Sequence, residues 1–191
     1  MKKKAIIISI KGYHLSIKEQ MLIANEKPWG LILFKRNIKS LSQVIKLIKK
    51  IRKSSKDSKF PIMIDEEGET VSRLRKIINH NFSQKLFGDI YKHNPKIALI
   101  IYKNYINNLT TLLKKIGINI NTVPVLDVIR KQTHKIIGNR SFSNDPKIVK
   151  KLGQVCVKQY KSNKLGTVIK HIPGHGCATF DSHLKTPKVK L

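Results

Sequence analysis

The sequence predicts an α/β fold, and within that class a (β/α)8 TIM barrel of which the first five or so βα units are present. Short apolar runs rich in β-branched residues alternate with segments of helical periodicity along the 191 residues. No strand-to-helix turn carries a glycine-rich phosphate fingerprint, which leaves a barrel or a doubly wound sheet. The polar residues favour the barrel. Asp65 and Glu66, then Asp127, then Lys170 with His171 each follow an apolar run, and in a barrel the carboxyl ends of the strands converge on one face. A whole barrel takes about 250 residues. Five units therefore leave two open sheet edges, which predict aggregation or reliance on another half.

The elements follow in order. Ala5 to Ile10 reads as the first strand. With the lysines before it, this stretch imitates a signal peptide, but the apolar run is short and no small-residue cleavage site follows, so a cytoplasmic location is expected. Gly30 to Phe34 is the second strand. A helix then starts after Ser40 or Ser42, with Leu41, Val44, Ile45, Ile48 and Ile51 on one face. Pro61 to Asp65 is the third strand. Asn94 and Pro95 open a long helix whose stripe runs Ala98, Ile101, Tyr102, Tyr105, Leu109, Leu112, Leu113 and Ile116, with Gly117 to end it. Ile120 to Val125 is the fourth strand. Asp145 caps a helix begun by Pro146 that carries Ile148, Val149, Leu152 and Val155, with Cys156 on or beside its buried face, and ends near Gly166. Thr167 to Ile172 is the fifth strand. The strand runs are continuous rather than alternating, as in a parallel sheet covered by helices.

Composition narrows the function classes. A hydrophobic fraction of 40% excludes a disordered chain, and no apolar run reaches the roughly 18 residues of a membrane helix. The net charge of +28 could serve a polyanion. The lysines, however, are spread along nearly every segment and fall between apolar helix positions, so they are read as a solvated surface, with neither a specific nucleic acid nor a membrane as partner. Cys156 and Cys177 frame no disulfide and no zinc site. No cofactor is expected.

The stretch "KHIPGHGCATFDSHLKTP", Lys170 to Pro187, gathers three histidines and an aspartate among turn-forming residues. Asp181 lies two positions before His183, where it can fix one imidazole nitrogen and leave the other for proton transfer. Metal ligation and purely structural histidines are the rival readings. In "DEEGETVSRL", Asp65 could hold a substrate hydroxyl with Arg73 facing the same pocket; the acids could instead cap the next helix. In "IIGNRSFSNDP", Arg140 alone would read as a surface ion-pair residue.

Together with "PWGLILFKRN" and "GINI-NTVPVLDV", these motifs resemble, in order, those of family 3 glycoside hydrolases, in particular bacterial β-N-acetylhexosaminidases of peptidoglycan recycling, over essentially the whole chain as one domain, 1–191. The resemblance implies a retaining glycosidase that removes terminal β-linked N-acetylglucosamine. It implies that Asp65, Arg73, Arg140, Lys170 and His171 hold the sugar, that His183 is the general acid and base, and that Asp181 orients it. The family's nucleophile is an aspartate from a strand beyond the fifth, so this chain is expected to lack it and to be inactive or weak alone. The other expectations are a non-catalytic sugar-binding or assembly fragment completed by a second chain, and a non-specific polyanion binder. Two departures stand out: the usual "EGGRV" is "EGETV", with Glu69 and Thr70, and the usual "GDRAF" is "GNRSF", with Asn139 before Arg140.

Overall fold

The computed structural model describes residues 3–184 and residue 186. The end of the last motif, from Pro187 onward, lies outside the described residues. Among the described residues five parallel strands, β1 (Lys4–Ile8), β2 (Pro28–Leu33), β3 (Ile62–Ile64), β4 (Ile120–Asn121) and β5 (Gly166–Thr167), lie side by side in sequence order. That order never reverses, whereas a doubly wound sheet has a switch point. The sheet is therefore wound one way, as in a barrel.

Among the described residues five helices connect the strands: α1 (Ile17–Glu26), α2 (Leu41–Ser55), α3 (Gln84–His93), α4 (Pro95–Ile116) and α5 (Pro146–Ser162). Ser40 is the cap of α2, accepting the Gln43 N–H, and Asn94 does the same for α4 through Ile97. Asp145 caps α5 through Lys147 at 2.8 Å. Leu31, Leu33, Ile62 and Ile64 of the sheet are fully buried against Val44, Ile48 and Ile51 of α2 and Leu113 of α4. Cys156 is buried on α5, where burial pushes its thiol up to about 12 despite a hydrogen bond with Tyr102. Among the described residues no helix is long and apolar enough to cross a membrane.

Several expected elements are corrected. β1 ends at Ile8 and is largely exposed, with Ile6 at 52% and Ile7 at 44%, because it is an edge strand. β4 stops at Asn121 rather than Val125. There the Asn121 side chain replaces the ladder, accepting the Glu66 N–H at 2.9 Å and donating to the Glu66 carbonyl at 2.9 Å. Pro124, which has no N–H to pair, follows in a cis peptide. β5 likewise ends at Thr167, and the ladder resumes as a single bridge between Val125 and Lys170. Helix α5 ends at Ser162, four residues short of Gly166. Ile101 is exposed, and Ile106 takes a buried place in the α4 stripe.

Helices α1 and α3 had no expectation. Ile23 is the buried residue of α1, so it shows no stripe, although Ser16 and Glu19 form a capping box. In α3 the interior Gly88 weakens the helical signal, yet it is required there: a Cβ would lie 1.7 Å from the Phe142 carbonyl oxygen.

Candidate active site

The ends of β3, β4 and β5 deliver an ionic lattice. Asp65 follows β3 and shares its carboxylate among Arg73 (Nη2, 3.0 Å), Lys170 (Nζ, 3.3 Å) and the Thr122 hydroxyl. Burial pushes this carboxyl up, but the Lys170 charge, the Thr122 hydroxyl and Arg73 outweigh it and hold it below the ordinary carboxylate range. The following residue turns the other way. Glu66 is fully buried, and its Oε2 accepts the N–H groups of Arg73 and Leu74 at 2.8 and 2.9 Å, while Oε1 meets His80 at 3.1 Å. This folds the 65–74 loop back on itself, so the expectation that its acids cap a helix is replaced by a carboxylate capping a turn.

Glu67 turns back into the cavity. It takes Arg140 through two hydrogen bonds, 2.8 Å from Nε and 3.1 Å from Nη2, and Lys170 at 2.6 Å. Arg140 sits on the 3-10 turn Gly138–Arg140; its backbone carbonyl accepts from the Gln84 amide of α3. It is thus a largely buried partner of the site, its side chain 11% exposed, not a surface ion-pair residue. The Lys170–His171 peptide is cis. His171 Nδ1 lies 2.6 Å from Asp127 Oδ2, and the other Asp127 oxygen accepts the Gly176 N–H at 2.9 Å. Burial pushes the Asp127 carboxyl up, and these two hydrogen bonds outweigh it and hold it low.

Beyond His171 the loop is braced at its base: Thr133 Oγ1 donates to the Gly176 carbonyl at 2.6 Å, and the His134 N–H to that of Ala178 at 3.1 Å. It then carries Asp181 and His183. Asp181 Oδ1 meets both the backbone N–H of His183, at 2.9 Å, and its Nδ1, at 2.7 Å. Those two bonds hold the Asp181 carboxyl below its usual range. His183 Nε2 is left for other chemistry, on a side chain 79% exposed.

All seven residues singled out in the sequence, Asp65, Arg73, Arg140, Lys170, His171, Asp181 and His183, line one cavity of about 280 Å³. Three larger grooves, two apolar ones on the outer faces of α4 and α5 and one between α1 and α2, contain none of them. Sequence reasoning missed Glu67, hidden in a run of three acids, and the partnership of Asp127 with His171, 44 residues apart. Asp127 was visible as a strand-end acid, but nothing local named its partner. Chemically, the cavity offers fixed donors and acceptors for a polyol and, at its mouth, an imidazole oriented by a carboxylate, the arrangement of a general acid and base.

A family model described as the glycosyl hydrolase family 3 N terminal domain matches residues 3–191. The chain belongs to glycoside hydrolase family 3. Among its curated relatives, a beta-hexosaminidase of Xanthomonas campestris pv. campestris is 30% identical over 179 residues, 94% of this chain and 53% of that protein. A beta-hexosaminidase of Stenotrophomonas maltophilia is 29% identical over 181 residues. Among solved structures of the family, native NagZ from Neisseria gonorrhoeae superposes with a TM-score of 0.89 at 27% identity, covering 97% of this chain and 54% of that one. A family 3 beta-N-acetylglucosaminidase from Paenibacillus gives 0.83 at 26%, covering 93% and 33%. The chain spans about half the length of the curated relatives it matches.

Proposed function

We propose that the chain is the N-terminal portion of a single barrel domain of a retaining β-N-acetylhexosaminidase, and that it holds terminal β-linked N-acetylglucosamine of cell-wall fragments, as in peptidoglycan recycling. Asp65, Arg73, Arg140, Lys170 and His171 grip the hydroxyls and acetamido group. His183, oriented by Asp181, protonates the glycosidic oxygen and then activates water. The observation that carries this reading is the convergence of three separate motifs on one cavity with the Asp181–His183 pair at its mouth.

Retention requires a carboxylate nucleophile across the sugar, about 5–5.5 Å from the acid in ordinary retaining enzymes. In this proposal it comes from strands beyond β5, on the same polypeptide or on a second chain. The apolar open edges favour such completion: Ile6 and Ile7 on β1, and Val168 and Ile169 just past β5, are exposed.

The test is turnover of an aryl N-acetyl-β-glucosaminide by the 191-residue chain alone and after addition of the remaining half of a family barrel. Hydrolysis with retention is expected for the pair and little or none for the chain alone, with His183→Ala abolishing the gain. Full-rate turnover by the chain alone would refute the need for completion, and an inverted product would refute the retaining mechanism.

A further inference from the structure

We propose that Asp127 is a positioning residue that makes Nε2 of His171 a hydrogen-bond acceptor, so that the site demands a donor, a hydroxyl or amide hydrogen, at that point of the ligand. The inference deepens the sugar-site reading and rests on it for its binding arm alone.

The geometry leaves one consistent assignment. An ionised carboxylate accepts hydrogen bonds and donates none. Asp127 is buried, with one oxygen committed to the Gly176 N–H at 2.9 Å and the other 2.6 Å from His171 Nδ1. Nδ1 must therefore carry the proton. A second proton on Nε2 would point at Arg140 Nη2, a cationic donor 3.5 Å away. With the proton on Nδ1, the Nε2 lone pair faces the Arg140 N–H in a long 3.5 Å contact, which a ligand hydroxyl or amide N–H entering the cavity can displace. The other groups around it do not change this. His175 meets the ring edge-on at 5.9 Å between centroids, and the neighbouring Lys170 ammonium is taken by Glu67 and Asp65. Lys170 and Arg140 can only donate, so His171 supplies an acceptor on that side of the cavity.

The same carboxylate fixes the base of the loop that carries the acid and base, through Gly176. Its replacement by asparagine has a forced result. The Gly176 N–H can only donate, so the amide oxygen of the asparagine must face it and the amide NH2 must face His171. Nδ1 then has to accept, and the ring proton moves to Nε2, at the cost of a donor–donor contact with Arg140 Nη2 that is milder for a neutral ring than for a doubly protonated one.

Long-range nitrogen–proton NMR of histidine-labelled protein, above the imidazole titration range, reads the tautomer directly. The expected result is Nδ1–H in the wild type and Nε2–H in Asp127→Asn, with N-acetylglucosamine binding weakened roughly tenfold, as when a buried hydrogen bond is left unmade. The wild-type spectrum decides the assignment even if the variant fails to fold: an Nε2–H or doubly protonated ring overturns it. An unchanged tautomer in Asp127→Asn, or a switched tautomer with unchanged sugar binding, also overturns it. A wild-type chain that binds no N-acetylglucosamine but shows Nδ1–H on His171 sinks the sugar-site reading and the ligand's demand for a donor, and leaves the positioning by Asp127 standing.

Discussion

Glu67 and Arg140, 73 residues apart in sequence, are joined by two parallel hydrogen bonds of 2.8 and 3.1 Å, and the same carboxylate holds Lys170 at 2.6 Å. The Glu67 side chain is 2% exposed and that of Arg140 11%. Removing one partner of such a pair strands the others in a poorly solvated place, a cost of about 3–5 kcal/mol. Glu67→Ala is therefore expected to lower the urea midpoint strongly and to abolish sugar binding, while Glu67→Gln, which keeps the shape and one acceptor, loses less. Equal midpoints for the wild type and Glu67→Ala would mean that the lattice contributes nothing to the fold.

The carboxylates give the pH dependence a direction. Asp65 and Asp127 titrate lower in the folded chain than in the unfolded one. Between the two values the unfolded chain binds more protons, so stability rises with pH there. Their contribution is whole above the ordinary carboxylate range of about 4 and is lost as pH falls through the depressed values. Urea midpoints should be level down to that range and then drop. Asp127→Asn should flatten part of the drop; a midpoint that rose on acidification would contradict the assignment.

Gly88 and Gly153 are both interior helix glycines, but what surrounds them differs. A Cβ on Gly88 would meet the Phe142 backbone oxygen at 1.7 Å, whereas one on Gly153 would meet the tip of the Leu126 side chain at 2.4 Å. Alanine gains about 1 kcal/mol of helix propensity over glycine at either place. At Gly88 the backbone must move, and a net loss of about 1–3 kcal/mol is expected. At Gly153 a rotamer change suffices, so Gly153→Ala should cost clearly less in denaturant titrations. The reverse ranking would show that α3 can slide away from the Arg140 turn.

Thr70 and Asn139, two of the departures from the family motifs, touch each other. The Thr70 hydroxyl donates to the Asn139 amide oxygen, and the Asn139 amide donates to Glu69 at 2.9 Å. Where arginine and aspartate are usual, this chain joins the same two loops by neutral groups and Glu69. Thr70→Arg and Asn139→Asp together should be better tolerated than the sum of the single changes, by about 0.5 kcal/mol for a pair at the surface. A double-mutant cycle on thermal unfolding measures this, and strict additivity would mean that the two loops are not coupled here.

The order of strands and the three helices with strong stripes were legible because burial on one face imposes a period on the sequence, as Val44, Ile48 and Ile51 do in α2. Helix α1 was not, because it buries Ile23 alone. The ends of β4 and β5 were not, because Asn121 satisfies the backbone of Glu66 by side chain, a substitution with no signature in hydrophobic pattern. The gathering of the seven site residues was legible only through strand-end position and motif order. What escaped were the partners deciding their geometry: Glu67 and Asp127 are ordinary acids in sequence, and only the fold shows which cations they meet.

Burial of Cys156 has one more consequence. Its thiol, pushed up to about 12, stays unionised at neutral pH behind the packed face of α5, whereas Cys177 stands half-exposed on the loop braced by Asp127. Thiolate is the form that reacts with alkylating reagents. The chain thus contains two clocks that run without any introduced label: Cys177 is open to reaction on its loop in the folded chain, and Cys156 is modified only when the sheet and its helices come apart. Mass spectrometry of one time course would separate the two.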